Sequence, residues 1–150
     1  MLTDLLLAAL HHLFVFALVA RLASEAMLLR GPVDGATIQR IAKVDAGYGA
    51  VAGLLLVIGL LRVWFGVKGH DFYLHNPWFH AKLGAYVLVG LLSILPTVTF
   101  LRWRKALRAD PSFTPGADRL GRARVVVHLQ LAAIALIFVL AAAMARYGGF

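Results

Sequence analysis

Ionisable side chains stand where lipid tails belong: His11, Arg21 and Glu25 lie in one long apolar run, and Lys82 lies in another. An imidazole can ligate a metal ion, an ammonium can grip an anion, and a carboxyl group can hold or release a proton. A charge in hydrocarbon costs several kcal/mol unless it is paired, solvated or turned toward protein, so each of these groups needs a partner. At about 100° per residue, Asp4, Leu7, His11, Phe14, Leu18, Arg21, Leu22 and Glu25 share roughly a third of one helix circumference. His12 points away from that stripe. In the second run Lys82, Tyr86, Ser93 and Thr97 form another stripe, and His80 lies nearly opposite it.

The elements that carry these stripes are membrane spans. The chain of 150 residues is 61% hydrophobic, beyond the roughly 45 to 50% apolar usage of soluble domains. The excess sits in four blocks, about 5–29, 46–65, 77–101 and 125–145, each at or above the about 20 residues that cross a bilayer as a helix. The fold expected is an all-α transmembrane four-helix up-down bundle, one integral membrane domain over residues 1–150. Gly31-Pro32 stops the first helix, and Ile38, Arg40, Ile41, Lys43 and Val44 follow at helical spacing. They predict a short interfacial helix between helices one and two.

Charge sets the orientation. Loops one and three hold Arg30, Arg40, Lys43, Arg102, Arg104, Lys105, Arg108, Arg119, Arg122 and Arg124, whereas the middle loop and the termini hold Arg62, Lys68 and Arg146. The positive-inside rule places loops one and three in the cytoplasm and both termini outside, as in a bacterial inner-membrane protein. The net charge of +8 is thus accounted for by topology and anionic lipid, with no nucleic acid partner. The first span begins with Asp4 and carries two histidines, so it reads as a retained helix and not a cleaved signal. The absence of cysteine excludes disulfides, thiolate metal sites, iron-sulfur clusters and covalent haem attachment.

Depth divides the polar residues into two groups. His11 and Lys82 lie roughly 9 Å and 8 Å inside their helix starts, both near the outer surface. Arg21, Glu25 and His128 lie toward the cytoplasmic end. A lysine deep in a bundle, with no acidic residue at its level, calls for an anionic or coordinating partner. Haem b fits: His11 would ligate iron, and Lys82 would hold a propionate or, when neutral, serve as second ligand, with His80 the other candidate. Gly49 and Gly53, four apart on one face, either let helices approach closely or leave room for a flat ligand beside Tyr86. Other readings stand beside these. Arg21 and Glu25 at i, i+4 can neutralise each other. His12, His70 and His75 suit the interface, His80 can anchor a helix at the headgroups, and His128 can hydrogen-bond a neighbouring helix. Arg124 is a secondary candidate.

Ala9-Leu10-His11 opening the first span, Trp78-Phe79-His80-Ala81-Lys82-Leu83 opening the third and the arginines at its cytoplasmic end resemble the HemJ-type protoporphyrinogen oxidases of bacteria. The chain also resembles a related family of uncharacterised bacterial four-helix membrane proteins. The similarity spans roughly the first 105 residues. It implies a b-type haem with His11 as axial ligand, an essential Lys82, and oxidation of protoporphyrinogen IX to protoporphyrin IX. The chain departs from that pattern where a Pro-Arg pair late in span one and an Asn-Glu-x-Pro-Thr segment in the last span are expected.

The sequence therefore points to a haem-binding membrane redox protein acting on a porphyrin, with quinone as an electron acceptor. Lys82, Arg21 and Glu25 would be catalytic, Arg21, Glu25 and His128 serving protons or an acceptor. Two alternatives are a non-catalytic membrane subunit or scaffold, whose stripes only knit helices together, and a small transporter, which with four helices would need to form a homo-oligomer.

Overall fold

A computed structural model describes residues 2–147 as five helices, α1 (Leu2–Leu28), α2 (Gly35–Phe65), α3 (Gly69–Leu74), α4 (Pro77–Ala109) and α5 (Ala117–Tyr147). Four of them are long and apolar enough to cross a membrane. Local chemistry sets their ends. The Asp34 side chain accepts a hydrogen bond from the Thr37 amide at 2.8 Å and caps α2. Asn76 caps α4 by accepting from the Trp78 amide at 2.9 Å, with Pro77 in the first turn, where its missing N–H costs nothing.

The short helix expected between helices one and two is instead the beginning of α2. Once Asp34 starts the turn, no Gly or Pro interrupts residues 36–46, and Ile38, Ile41 and Ala42 bury the face that continues into the span. A short helix does occur, as α3, on the opposite connection. Three spans also run further than their apolar blocks, because α2, α4 and α5 have 31, 33 and 31 residues. Helices of that length measure about 46 to 50 Å, against about 30 Å of hydrocarbon. The overhanging turns carry arginines and lysines, which a hydropathy reading assigns to loops.

The four long helices form a ring in the order α1, α2, α4, α5, with the diagonal pairs out of direct backbone contact. Successive contacts fix the antiparallel register of α1 on α2. Asp4 accepts from the Val67 amide at 3.2 Å, His11 lies against Gly59, and the Arg21 guanidinium lies against Gly47. On the other side of α2, Tyr86 donates to the Ala52 carbonyl at 2.7 Å and Thr97 to Asp45 at 2.9 Å. One end of the ring carries the α1–α2 and α4–α5 connections and most arginines, and is called the basic end. The other carries α3 and Trp64, Phe65, Phe72, Tyr73, Trp78 and Phe79, and is called the aromatic end.

Packing is uneven along the axis. Leu18, Leu22, Leu29, Ile38, Ile41, Phe100, Trp103, Ala123 and Val127 make a dense core in the basic half. In the aromatic half few side chains are fully buried, chiefly Leu55, Ile58, Val63, Tyr73 and Val89. Large apolar side chains such as Leu13, Phe16, Leu91 and Val139 face outward, as they do on helices whose solvent is lipid.

Candidate functional site

Two polar layers cross the bundle. The first, in the aromatic half, gathers His11 from α1, Gly59 and Arg62 from α2 and Lys82 from α4. The α1–α2 register brings the imidazole level with Gly59, where a Cβ would touch it at 3.7 Å, and Lys82 and Arg62 lie within electrostatic reach of it. His11 and Lys82 come from helices on a diagonal of the ring and lie within electrostatic reach of each other. His11 Nδ1 and Arg62 Nε are buried and have no hydrogen-bond partner.

The other five histidines are committed elsewhere. His12 is exposed and donates through Nδ1 to the Ala8 carbonyl at 2.6 Å, one turn back on its own helix. His75 and His128 do the same with Asp71 and Arg124 at 2.9 and 2.7 Å. His80 donates through Nε2 to the Leu74 carbonyl at 2.8 Å. His70 lies 3.1 Å from the Asp71 carboxylate and stacks on Trp64. Among the described residues His11 alone keeps a buried ring nitrogen without a partner, beside Gly59.

The second layer lies in the basic half, about 21 Å further along α1 at 1.5 Å per residue. Glu25 of α1, Asp45 and Tyr48 of α2 and Gln130 of α5 are all buried, at 1%, 5%, 3% and 1% exposure. Thr97 of α4 donates to Asp45, and Gln130 donates through Nε2 to the Tyr48 hydroxyl at 3.4 Å. Glu25 Oε1 and Gln130 Oε1 have no partner. Glu25 is within electrostatic reach of Asp45. Four helices thus converge on an acceptor-rich cluster, in which a proton on one carboxyl is the simplest way to keep two like charges out of a dry interior.

Several expected placements change. Arg21 and Glu25 form no ion pair among the described residues: the guanidinium turns aside over Gly47 while Glu25 faces the core. His128 is exposed and bonded to its own helix, so it stands apart from Glu25. His80, tied to the Leu74 carbonyl, does not join His11. Gly49 and Gly53 are exposed with open space around a Cβ, so they line neither layer. The close approaches belong to Gly47 and Gly59. Tyr86 braces α4 on α2 between the layers. Arg124 closes the ring by donating through Nε to the Leu29 carbonyl at 2.6 Å, which satisfies a carbonyl at the end of α1.

Arg62, Asp45 and Tyr48 are the residues that sequence reasoning missed. Arg62 falls at the end of an apolar block and reads as a loop charge, although it lies one turn from Gly59 on α2. Asp45 and Tyr48 sit where that block begins, and their burial follows only from the continuity of α2 with residues 35–45.

A family model described as Predicted membrane protein (DUF2214) matches residues 3–149, nearly the whole chain. The chain belongs to that family. No curated protein and no solved structure matches this DUF2214 member. Its four apolar helices agree with the family's description as a predicted membrane protein.

The donor set can be weighed against a cofactor. Among the described residues no three His, Asp or Glu side chains converge as a site for a bare metal ion. A haem brings its own four nitrogen ligands and asks the protein only for axial donors and for cations opposite its carboxylates. His11, Arg62 and Lys82 supply one imidazole and two cations, in the half of the bundle that buries fewest side chains.

Proposed function

We propose that this protein is a b-type haem-binding redox protein of the bacterial inner membrane, with the basic end in the cytoplasm and porphyrinogen as its substrate. The observation that carries the reading is the buried imidazole nitrogen of His11, unpartnered among the described residues, with two cations within electrostatic reach. In a structural role His11 would bond the carbonyl one turn back, as His12 does. Leaving a buried polar atom unmade costs about 1–3 kcal/mol, and a ligand that takes that nitrogen removes the penalty.

His11 would hold the iron, and Arg62 with Lys82 would hold the two propionates, Arg62 through its planar fork and Lys82 as a point charge. A bound haem supplies reversible one-electron chemistry. Arg62 beside Lys82 favours the carboxylate-anchoring role for the lysine over axial ligation, since two carboxylates ask for two cations. Gly59 keeps α2 clear of the imidazole. Deeper in the bundle Glu25 and Asp45 can hold a proton released on substrate oxidation, and Thr97 orients Asp45. Quinone is the proposed electron acceptor.

A visible spectrum of the purified protein tests this. A Soret band with reducible α and β bands is expected, and a colourless preparation without iron refutes the reading. His11→Ala should abolish the bands, and His12→Ala should keep them. Rescue of a strain lacking protoporphyrinogen oxidase tests the substrate separately: a haem-bearing protein that expresses well and fails to rescue retains the cofactor reading and loses the substrate.

A further inference from the structure

Between α4 and α5, at the basic end, lies an open cleft of about 1020 Å³. Its lining changes along the bundle axis. Toward the middle it is apolar, with Leu95 and Val125. At the rim stand Arg102, Arg119 and Arg122, together with one acidic side chain, Asp118. None of the three arginines is ion-paired among the described residues.

Trp103 lines the cleft, is 1% exposed and packs against Phe100 with ring centroids 5.6 Å apart. Three guanidinium groups around a single cleft ask for an anion with several oxygen acceptors. Arginine forks match phosphate geometry in pairs. The apolar continuation, open along the lipid-facing surface, asks for that anion to carry hydrocarbon chains. The arginines lie on the overhanging turns of α4 and α5, at the depth of headgroups.

We propose that this cleft binds an anionic phospholipid. Arg102, Arg119 and Arg122 meet the phosphodiester oxygens, and the acyl chains run along Leu95 and Val125. Asp118 disfavours a second anionic group on its side of the rim. The site lies at the opposite end of the bundle from His11, and the inference does not depend on the porphyrin reading.

Native mass spectrometry of the purified full chain tests it, with phosphatidylglycerol or phosphatidylcholine supplied in detergent. The wild type should retain phosphatidylglycerol at least tenfold better than phosphatidylcholine, and Arg102→Gln/Arg119→Gln/Arg122→Gln should fall to the phosphatidylcholine level. Arg40→Gln/Lys43→Gln, outside the cleft, should retain lipid as the wild type does. If the triple variant does not fold, single substitutions at the exposed Arg119 and Arg122 decide the same point by a partial loss. Equal retention of both lipids, or equal loss in the Arg40/Lys43 control, would overturn the proposal. Displacement of phosphatidylglycerol by inorganic phosphate at equal concentration would overturn it in favour of a soluble anion.

Discussion

Along the same four helices the aromatic half and the basic half treat buried polarity in opposite ways. In the aromatic half His11, Arg62 and Lys82 are donors or cations with no acid at their level, and few apolar side chains close around them. In the basic half Glu25, Asp45, Tyr48 and Gln130 are packed into a dense core, where Thr97 donates to Asp45 and Gln130 to Tyr48 across helices. Each layer keeps two buried polar atoms unpartnered among the described residues, but only the second is closed in by dense apolar packing. On the haem reading proposed above, ligand binding and fold stability are divided between the two halves, and substitutions should separate them.

The largest expected effect is the complete loss of haem absorbance in His11→Ala, with thermal stability of the ligand-free protein changed by less than about 1 kcal/mol, because the imidazole makes no hydrogen bond there. The counterpart is Phe100→Ala. It should cost about 3–5 kcal/mol by emptying the core of the basic half and leave the haem spectrum of the folded fraction unchanged. Haem loss in Phe100→Ala without unfolding, or unfolding in His11→Ala, would dissolve the contrast.

Arg124→Ala comes next, at about 1–3 kcal/mol, since it leaves the Leu29 carbonyl without its charged donor. Hydrogen exchange should then rise at the α1 C-terminus and not at α3. Glycines give smaller shifts of opposite sign. Gly47→Ala pushes the Arg21 guanidinium off its seat and should destabilise slightly. Gly53→Ala meets nothing and should gain up to about 1 kcal/mol from helix propensity. The smallest effect is at Asp34, whose carboxyl is held below the ordinary range by hydrogen bonds from Thr37, side chain first and then backbone. The depressed folded value means that the cap contributes fully above the unfolded value near about 3.9 and fades as pH falls through the folded one. Exchange at the Thr37 amide should rise over that acidic window and stay flat at neutral pH.

The stripes were legible in the sequence because helical periodicity is a property of spacing alone. On α1, Leu18, Leu22 and Glu25 are buried and His11 is half-buried while His12 is exposed; on α4, Lys82, Tyr86 and Thr97 all turn inward. Arg21 was placed on that face too, and its long side chain instead reaches sideways to Gly47, a choice set by the neighbouring helix. The spans were legible as apolar blocks, but their ends were not, because overhanging turns are polar and hydropathy stops at the first charges. That effect hid Asp45, whereas Arg62 and Tyr48 lie within the apolar block and their inward placement depends on the neighbouring helices. The pairing of Gln130 with Tyr48 depends on which helices are adjacent, and no local pattern encodes it.

The Arg124 bond to Leu29 has a consequence for biosynthesis. Because α5 is made after the other described helices, the circle stays open until Arg124 arrives, and its closure joins segments 95 residues apart in the chain. Among the described residues α1 and α5 share no such hydrogen bond at the aromatic end, so the fastened mouth can serve as a hinge about which the other splays.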